Sequence, residues 1–487
     1  MTKRSALAGF RAGICAERVP QRRNGTDSSP TVGCHVDLDR ELGGDITENR
    51  ISRNMTTQRD WRMTVIGGQL KGIPPGIESI PIGQIAEQRW NLLSGDLPLP
   101  AAIIRESALR QNSRWMQQFL RFSGALLCPH GKTTMSPQLF KRQLDDGAWG
   151  ITISTVQQLC VTRRHGFKRI LMANQLVGKV EIRYVLDELA KDPEFDFFCI
   201  VDSADGVARL VEAVRERSPA RPLQVFVEGG YGGGRTGCRT LEQALHVARQ
   251  VKHSEPFLAL RGVEGYEGTL QSSEGLDTVQ RVRTFVRFLT SVAETCAKEN
   301  LYAPGPILLS AGGSAFYDLV AETLNAASLG NRQKVVLRSG CYLTHDSGLY
   351  QKLDEALHSR LPKSEHLGPG LIPALEIWTY VQSVPEPNLA ILTAGRRDCS
   401  HDAGLPVPLK RFRIGADRAP VRLNSDYELT GLNDQHAYLR IPSANSLRVG
   451  DMVALGISHP CSTFDKWRIL FLVDDDYQIT SAIETFF

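Results

Sequence analysis

The stretch FDFFCIVDSADGVARLVEAVRERSPARPLQVFV, Phe195–Val227, decides the fold. Its first seven residues, Phe195–Val201, form an apolar run of strand length rich in aromatic and β-branched side chains. Over Ala204–Arg217 the apolar residues Val207, Leu210, Val211 and Val214 recur at helical spacing, which gives one buried face and one wet face. Leu223–Val227 is a second strand-length run. A strand, an amphipathic helix and a strand joined by short links make a βαβ unit, whose crossover sets the two strands parallel.

The unit repeats outward in both directions. Upstream, Ala125–Leu127, Trp149–Ile153 and Arg169–Met172 read as strands, with helices over Ser136–Asp146, Thr155–His165 and Lys179–Ala190. Downstream, helices over Leu241–Val251, Thr278–Lys298 and Ala315–Asn325 alternate with strands at Phe257–Val263, Ile307–Leu309 and Lys334–Leu337, and a weaker helical stretch follows the last strand. About eight such units predict an α/β fold, a (β/α)8 TIM-type barrel over residues 100–370; an open doubly wound sheet is the alternative. After about Leu371 the texture changes. Ile377–Val384, Leu389–Thr393, Val421–Leu423, Ala437–Ile441, Met452–Leu455 and Trp467–Val473 are short strand candidates between Pro, Gly, Asn and Asp turns, so residues 371–487 are expected to form a C-terminal all-β domain. Residues 67–99 are expected to lead into the barrel and pack on that domain. Residues 1–66 show no sustained period and are expected to be a disordered extension. No apolar stretch follows Lys3 and Arg4, as a signal peptide would require, and the acids at Glu17, Asp27, Asp37, Asp39 and Glu41 fit a transit peptide poorly.

Composition narrows the class. The chain has 487 residues, 57 basic and 53 acidic, and no basic stripe stands out, so a nucleic-acid partner is not expected. No apolar run approaches the roughly 20 residues that cross a bilayer, so no membrane partner is expected. Ten cysteines are scattered without a C-x-x-C pair, which points to reduced thiols in a cytoplasmic setting.

The loops that follow the strands carry the chemistry in a barrel. Cys128-Pro129-His130-Gly131-Lys132-Thr133-Thr134 follows the first strand. It is not a P-loop, because Leu126 stands where that pattern needs its first glycine. Lys132 reads either as a solvated charge or as an amine that forms a Schiff base with a carbonyl cofactor. The glycine-rich loop 229–237 holds a G-x-G-x-x-G register at Gly232, Gly234 and Gly237. A middle unit is the wrong place for a dinucleotide fingerprint, and the loop reads better as one that brings Arg235 to an anion, or as a flexible link. Ser310-Ala311-Gly312-Gly313-Ser314 follows the seventh strand and Arg338-Ser339-Gly340-Cys341-Tyr342 the eighth. Both occupy the usual phosphate position of such barrels, and a helix start with two glycines offers free N–H groups to an anion. His459-Pro460-Cys461 reads as an extended segment with both soft ligands on one face. Taken alone it is a weak metal signal, since it supplies two ligands.

In order and type these parts resemble the fold-type III pyridoxal 5′-phosphate enzymes with an alanine-racemase-like barrel, in the branch of the D-serine dehydratases and D-threonine aldolases. Pro100–Ile104 is similar to the family's entry strand and Pro129–Thr133 to its Arg-Pro-His-x-Lys-Thr motif, with Cys128 in place of the arginine. Gly147–Thr152 resembles the second-strand segment. Residues 310–314 resemble the Gly-Gly-Thr/Ser phosphate loop, and residues 338–342 the Arg-Pro-Gly-x-Tyr element. His459-Pro460-Cys461 resembles this branch's metal pair, which plain alanine racemases lack. The resemblance implies that Lys132 holds the cofactor and serves as base on the substrate Cα. It implies that Gly312, Gly313, Ser314, Gly340 and Tyr342 bind the phosphate, that Arg235 lies near the pyridine ring, and that His436 meets the substrate. A divalent metal on His459 and Cys461, Zn2+ before Mn2+ or Mg2+, is implied to bind the substrate's β-hydroxyl. The expected function is a lyase acting on a D-amino acid with a 3-hydroxyl, by D-serine dehydratase-like deamination. The alternatives are a D-threonine aldolase-type cleavage and a non-catalytic cofactor-binding protein. A homodimer is expected on the same ground.

Overall fold

The structure, a computed structural model, describes residues 60–272, 277–361, 367–443 and 446–487. Strands Leu126–Leu127, Ile151–Ile153, Arg169–Gln175, Asp196–Val201, Leu223–Gly229, Leu258–Gly265, Ile307–Ala311 and Gln333–Leu337 form one parallel sheet in chain order, with the last strand paired to the first. A parallel bridge between His130 and Thr152 joins the first strand's extension to the second and closes the cylinder. A helix follows each strand except that the eighth, Leu349–Arg360, is reached through a longer loop.

Period-2 alternation decides which side chains fill the barrel. In the fourth strand Phe198 and Ile200 point inward, where they meet Cys128, Leu171, Phe226, Leu308 and Val336. Phe197, Cys199 and Val201 point outward against the helices, in the large core. Three helices start on a hydroxyl cap: Thr155, Ser203 and Thr240 accept from the backbone N–H of Gln158, Gly206 and Gln243, satisfying donors that the first turn otherwise leaves unpaired.

Two boundaries differ from the sequence reading. Ala101–Arg105 is not a barrel strand; it pairs antiparallel with Leu375–Trp378 and parallel with Phe471–Val473. Its two faces are both buried, Ala102 and Ile104 in the large core and Ala101 and Ile103 in a second one, which makes it a central strand of the β domain. The second core also holds Ile73, Ile80, Ile82, Ile85, Leu92 and Leu97 against Trp378, Phe412, Met452 and Phe471. The leading segment therefore packs on the β domain. Most of the expected N-terminal extension lies outside the described residues, but its last part is ordered: Trp61–Met63 is a helical turn, and Val65–Ile66 pairs with Ile80–Pro81. Strands Val407–Phe412, Glu428–Leu432 and Ile479–Glu484 and helix Glu106–Ser123 were not foreseen. Among the described residues no helix is long and apolar enough to cross a membrane.

Candidate active site

Lys132 reaches the carboxyl-end mouth of the barrel because the chain turns sharply after the first strand. Cys128 N–H donates to Leu337 O (2.7 Å), and Gly131–Thr133 then makes a single helical turn. A Cβ on Gly131 would lie 2.9 Å from both Phe140 Cζ and Ile151 Cγ2, so a side chain there would force the turn open. Cys128, which replaces the family's arginine, is buried in the barrel interior, and burial pushes its thiol up to about 12.

The mouth is a cavity of about 560 Å³. Lys132, Arg235, Gly313, Ser314, Gly340, His459 and Cys461 all border it. The two phosphate-like loops are stitched together: Arg338 N–H donates to Gly312 O (3.0 Å), Ser339 Oγ to Gly313 O (2.9 Å) and Cys341 N–H to Ser314 Oγ (3.1 Å). Arg235 lies over the Tyr266 ring, 5.0 Å from its centroid. His130 also borders the cavity; its Nε2 is 3.2 Å from Ser154 Oγ, while its buried Nδ1 has no hydrogen-bond partner. Burial, with Lys132 beside it, pushes the His130 imidazole well below its ordinary value and so keeps it neutral.

Three sequence-assigned residues sit elsewhere. Gly312, at φ +84°, faces the loop interior. Its N–H and that of Gly313 donate to Glu267 Oε2 (3.1 Å) and Oε1 (2.8 Å) rather than standing open. Tyr342 is buried in the large core, bonded to Gln143, and does not border the cavity. His436 is exposed in the turn between strands Glu428–Leu432 and Ala437–Arg440, and does not border it either. The helix after the glycine loop begins at Tyr317, two residues later than expected.

The wall fits a phosphorylated pyridine aldehyde. It offers one primary amine, the Arg235 guanidinium, the orphaned His130 nitrogen and a glycine-rich loop. The buried Glu267 carboxyl accepts from the Gly312 and Gly313 amides, and burial pushes that carboxyl above its ordinary value. Gly313, Ser314 and Gly340 are the glycine-loop and neighbouring-loop residues that border the cavity.

Pro460–Phe464 is a short helix capped by His459, not the extended segment expected, so period 2 does not govern the pair. His459 Nδ1 lies 2.6 Å from Asp402 Oδ2, and Ser462 Oγ donates to Asp402 Oδ1 (2.6 Å). Cys461 Sγ is 3.5 Å from Thr133 Oγ1 and 3.7 Å from Cys341 Sγ. Contact with Cys461 and then Asp402 pushes His459 up to about 9, and the Cys341 thiol and His459 hold the Cys461 thiol well below its ordinary range. An imidazole and a thiol in contact form a donor set whose proton a soft cation can displace. Among the described residues no three His, Cys, Asp or Glu side chains are gathered as a metal cage. The Asp402 contact holds the Nδ1 proton of His459 and leaves Nε2 turned away from that carboxylate. Asp402→Asn is accordingly expected to weaken zinc affinity about 10–100-fold in competition with a chromophoric chelator; an unchanged affinity would remove this role.

Deeper in the mouth, Gln175 Nε2 and Thr236 Oγ1 donate to Glu228 (2.5 and 2.7 Å), and Arg338 is ion-paired with buried Glu264. Burial and the neighbouring Glu264 push Glu228 up to about 7 from 4.5. The folded state holds this proton more tightly than the unfolded chain. Its stabilisation is therefore full below about pH 4.5 and fades as pH rises through about 7, a change on the order of 3 kcal/mol. Glu228→Gln should flatten the fall in melting temperature over that window; parallel curves for the two proteins would exclude it.

Residues 374–473 match the family described as "Putative serine dehydratase domain". The chain is 25% identical over 380 residues to the 3-hydroxy-D-aspartate aldolase of Paracoccus denitrificans (strain Pd 1222), covering 77% of this chain and 88% of the relative. It is 25% identical over 380 residues to the D-threo-3-hydroxyaspartate dehydratase of Delftia sp. (strain HT23), covering 75% and 92%. Among solved structures, D-threonine aldolase from Filomicrobium marinum superposes with a TM-score of 0.64 at 20% identity, over 80% of this chain and 95% of the other. The Delftia dehydratase gives 0.63 at 20% identity, over 81% and 99%. Its solved variants include one with a histidine replaced by alanine and another, in a metal-free form, with the cysteine two positions later replaced by alanine. Both lyase classes expected from the sequence stand among these relatives.

Proposed function

We infer that this chain is a member of the D-serine dehydratase and D-threonine aldolase branch of the alanine-racemase-like enzymes, a pyridoxal phosphate- and metal-dependent lyase on D-3-hydroxy amino acids, and that it deaminates them to a 2-oxo acid and ammonia. The observation that carries this reading is the single cavity bordered by Lys132, the Gly313–Ser314 and Gly340 loops, and the His459–Cys461 pair. When bound there, the cofactor supplies an electron sink for the substrate's α-carbon and the metal a Lewis acid for its β-hydroxyl.

The chain's own groups divide the remaining work. Lys132 Nζ would hold the cofactor, and its amine is the group placed to take the proton from the substrate Cα. Arg235, seated on the Tyr266 face, fixes a cation at the cavity edge, and Ser314 and Gly340 meet the phosphate. His459 and Cys461 would hold the metal, which would polarise the substrate hydroxyl, while Asp402 orients the imidazole. The cysteine two residues after the histidine supports deamination, since the Delftia dehydratase variants bear on a pair with that spacing.

The aldolase reading has support of its own in the Paracoccus aldolase. Incubating the holoenzyme with D-serine, D-threonine and 3-hydroxy-D-aspartate separates the two. A 2-oxo acid with equimolar ammonia supports deamination; glycine with an aldehyde overturns it in favour of cleavage. No product from any of the three would return the non-catalytic alternative.

A further inference from the structure

Two thiols meet at the proposed metal position. Cys341 lies in the loop after the eighth barrel strand and Cys461 in the first turn of the helix Pro460–Phe464, 120 residues on, yet their sulfurs are 3.7 Å apart. Thr133 Oγ1 touches both, at 3.9 and 3.5 Å. Both cysteines border the cavity, so a small solute that reaches the substrate position reaches them. Cys341 is otherwise buried; Cys128, Cys199, Cys296 and Cys399 lie in the cores and do not border the cavity.

We propose that Cys341 and Cys461 form a reversible redox pair, which a hydroperoxide closes to a disulfide that takes the Cys461 sulfur away from the metal and switches the enzyme off. The proposal rests on the reading of Cys461 as a metal ligand. In the first step the Cys461 sulfur attacks a peroxide oxygen. The O–O bond breaks, and a sulfenic acid and one alcohol (water, when the oxidant is hydrogen peroxide) form. The Cys341 sulfur then attacks the Cys461 sulfur; the S–S bond forms, the S–O bond breaks and water leaves with the thiol proton. The two sulfurs give up two electrons and the peroxide accepts them. A thiol reductant reverses the change by exchange.

Geometry favours the pair. A disulfide holds its sulfurs about 2.05 Å apart, so closing the observed gap moves each sulfur by less than about 1 Å. One sulfur sits in a loop and the other in the first turn of a five-residue helix. A resolving thiol already in contact with the attacked sulfur also outcompetes further oxidation of the sulfenic acid.

The test uses the zinc-loaded full chain exposed to hydrogen peroxide, blocked with iodoacetamide and digested without reduction. One peptide pair joined through Cys341 and Cys461 is expected. Zinc should pass to a chromophoric chelator in step with that cross-link, and dithiothreitol followed by zinc should restore the starting state. Cys341→Ser is expected to bind zinc but to lose the recovery with dithiothreitol, because Cys461 then oxidises past the reversible stage. A zinc-replete chain that yields no Cys341–Cys461 peptide overturns the proposal and leaves the metal reading standing. A cross-link in a chain that, when reduced, never held zinc overturns the metal reading, and the switch with it.

Discussion

Lys132→Ala is expected to leave a folded protein that retains no cofactor absorbance after gel filtration and loses at least about 10³-fold in turnover. The size follows from the two duties of one amine. As nucleophile it makes the covalent link that keeps the cofactor in a mouth otherwise open to water; as base it is the primary amine bordering the cavity. Arg235 and Arg338 also border it, but a guanidinium does not give up its proton in proteins, and Arg338 is ion-paired with Glu264. The other candidate base, His130, is buried and neutral with Nε2 engaged by Ser154, so it is poorly placed to substitute. Lys132→Arg separates charge from chemistry: it keeps the cation, yet should lose the absorbance as fully as the alanine variant. Unchanged absorbance in both variants would place the link on another residue and remove the basis of the proposed reaction.

The barrel was legible because its signal is local. Runs such as Phe195–Val201 and Ala204–Arg217 each carry their own signal, and the structure places a strand at Asp196–Val201 and a helix at Ala204–Arg217. The β domain was less so. Val407–Phe412 carries Lys410 and Arg411 in its middle and reads as a loop; in the fold Lys410 pairs with Glu376, 34 residues earlier in the chain. Ala101–Ile104 was seen as a strand but placed in the wrong sheet, since a run buried on both faces fits a central strand of either.

The same distinction separates the parts of the site that could be read from those that could not. Lys132, Gly313, Ser314 and Gly340 stand in short motifs at strand ends, where position alone directs attention to them. Glu267 and Asp402 act across 45 and 57 residues on groups the motifs named, and neither has a local mark beyond lying in a loop. Glu267 had one usable sign, a carboxylate just past the sixth barrel strand. The helix at the metal pair had one too, because proline after His459 suits a first helical position better than an extended strand. Tyr342 and His436 followed the family pattern in sequence but not in space: one side chain turned into the core, the other into a solvent-facing turn.

Metal removal should separate binding from chemistry. In His459→Ala and in Cys461→Ala, zinc is expected to fall from about one per chain to background, with turnover lost and the cofactor absorbance intact. The absorbance should survive because Lys132 and the loops at 313–314 and 340 lie in the barrel, whereas both proposed ligands come from the β domain. Turnover should fall because a hydroxide ion is a poor leaving group, and a Lewis acid on the β-hydroxyl supplies several kcal/mol that protein donors at this mouth do not replace. Chelator treatment of the unmodified chain should reproduce the same split, and added zinc should reverse it. The two variants also differ in a useful way. Cys461→Ala leaves His459 with its Asp402 partner at 2.6 Å, so a residual site selecting harder cations is expected, whereas His459→Ala removes the oriented nitrogen outright. If chelated enzyme kept full turnover on its best substrate, the metal would have no part in breaking the bond to the hydroxyl. The proton chemistry at Lys132 would then have to account for the reaction alone.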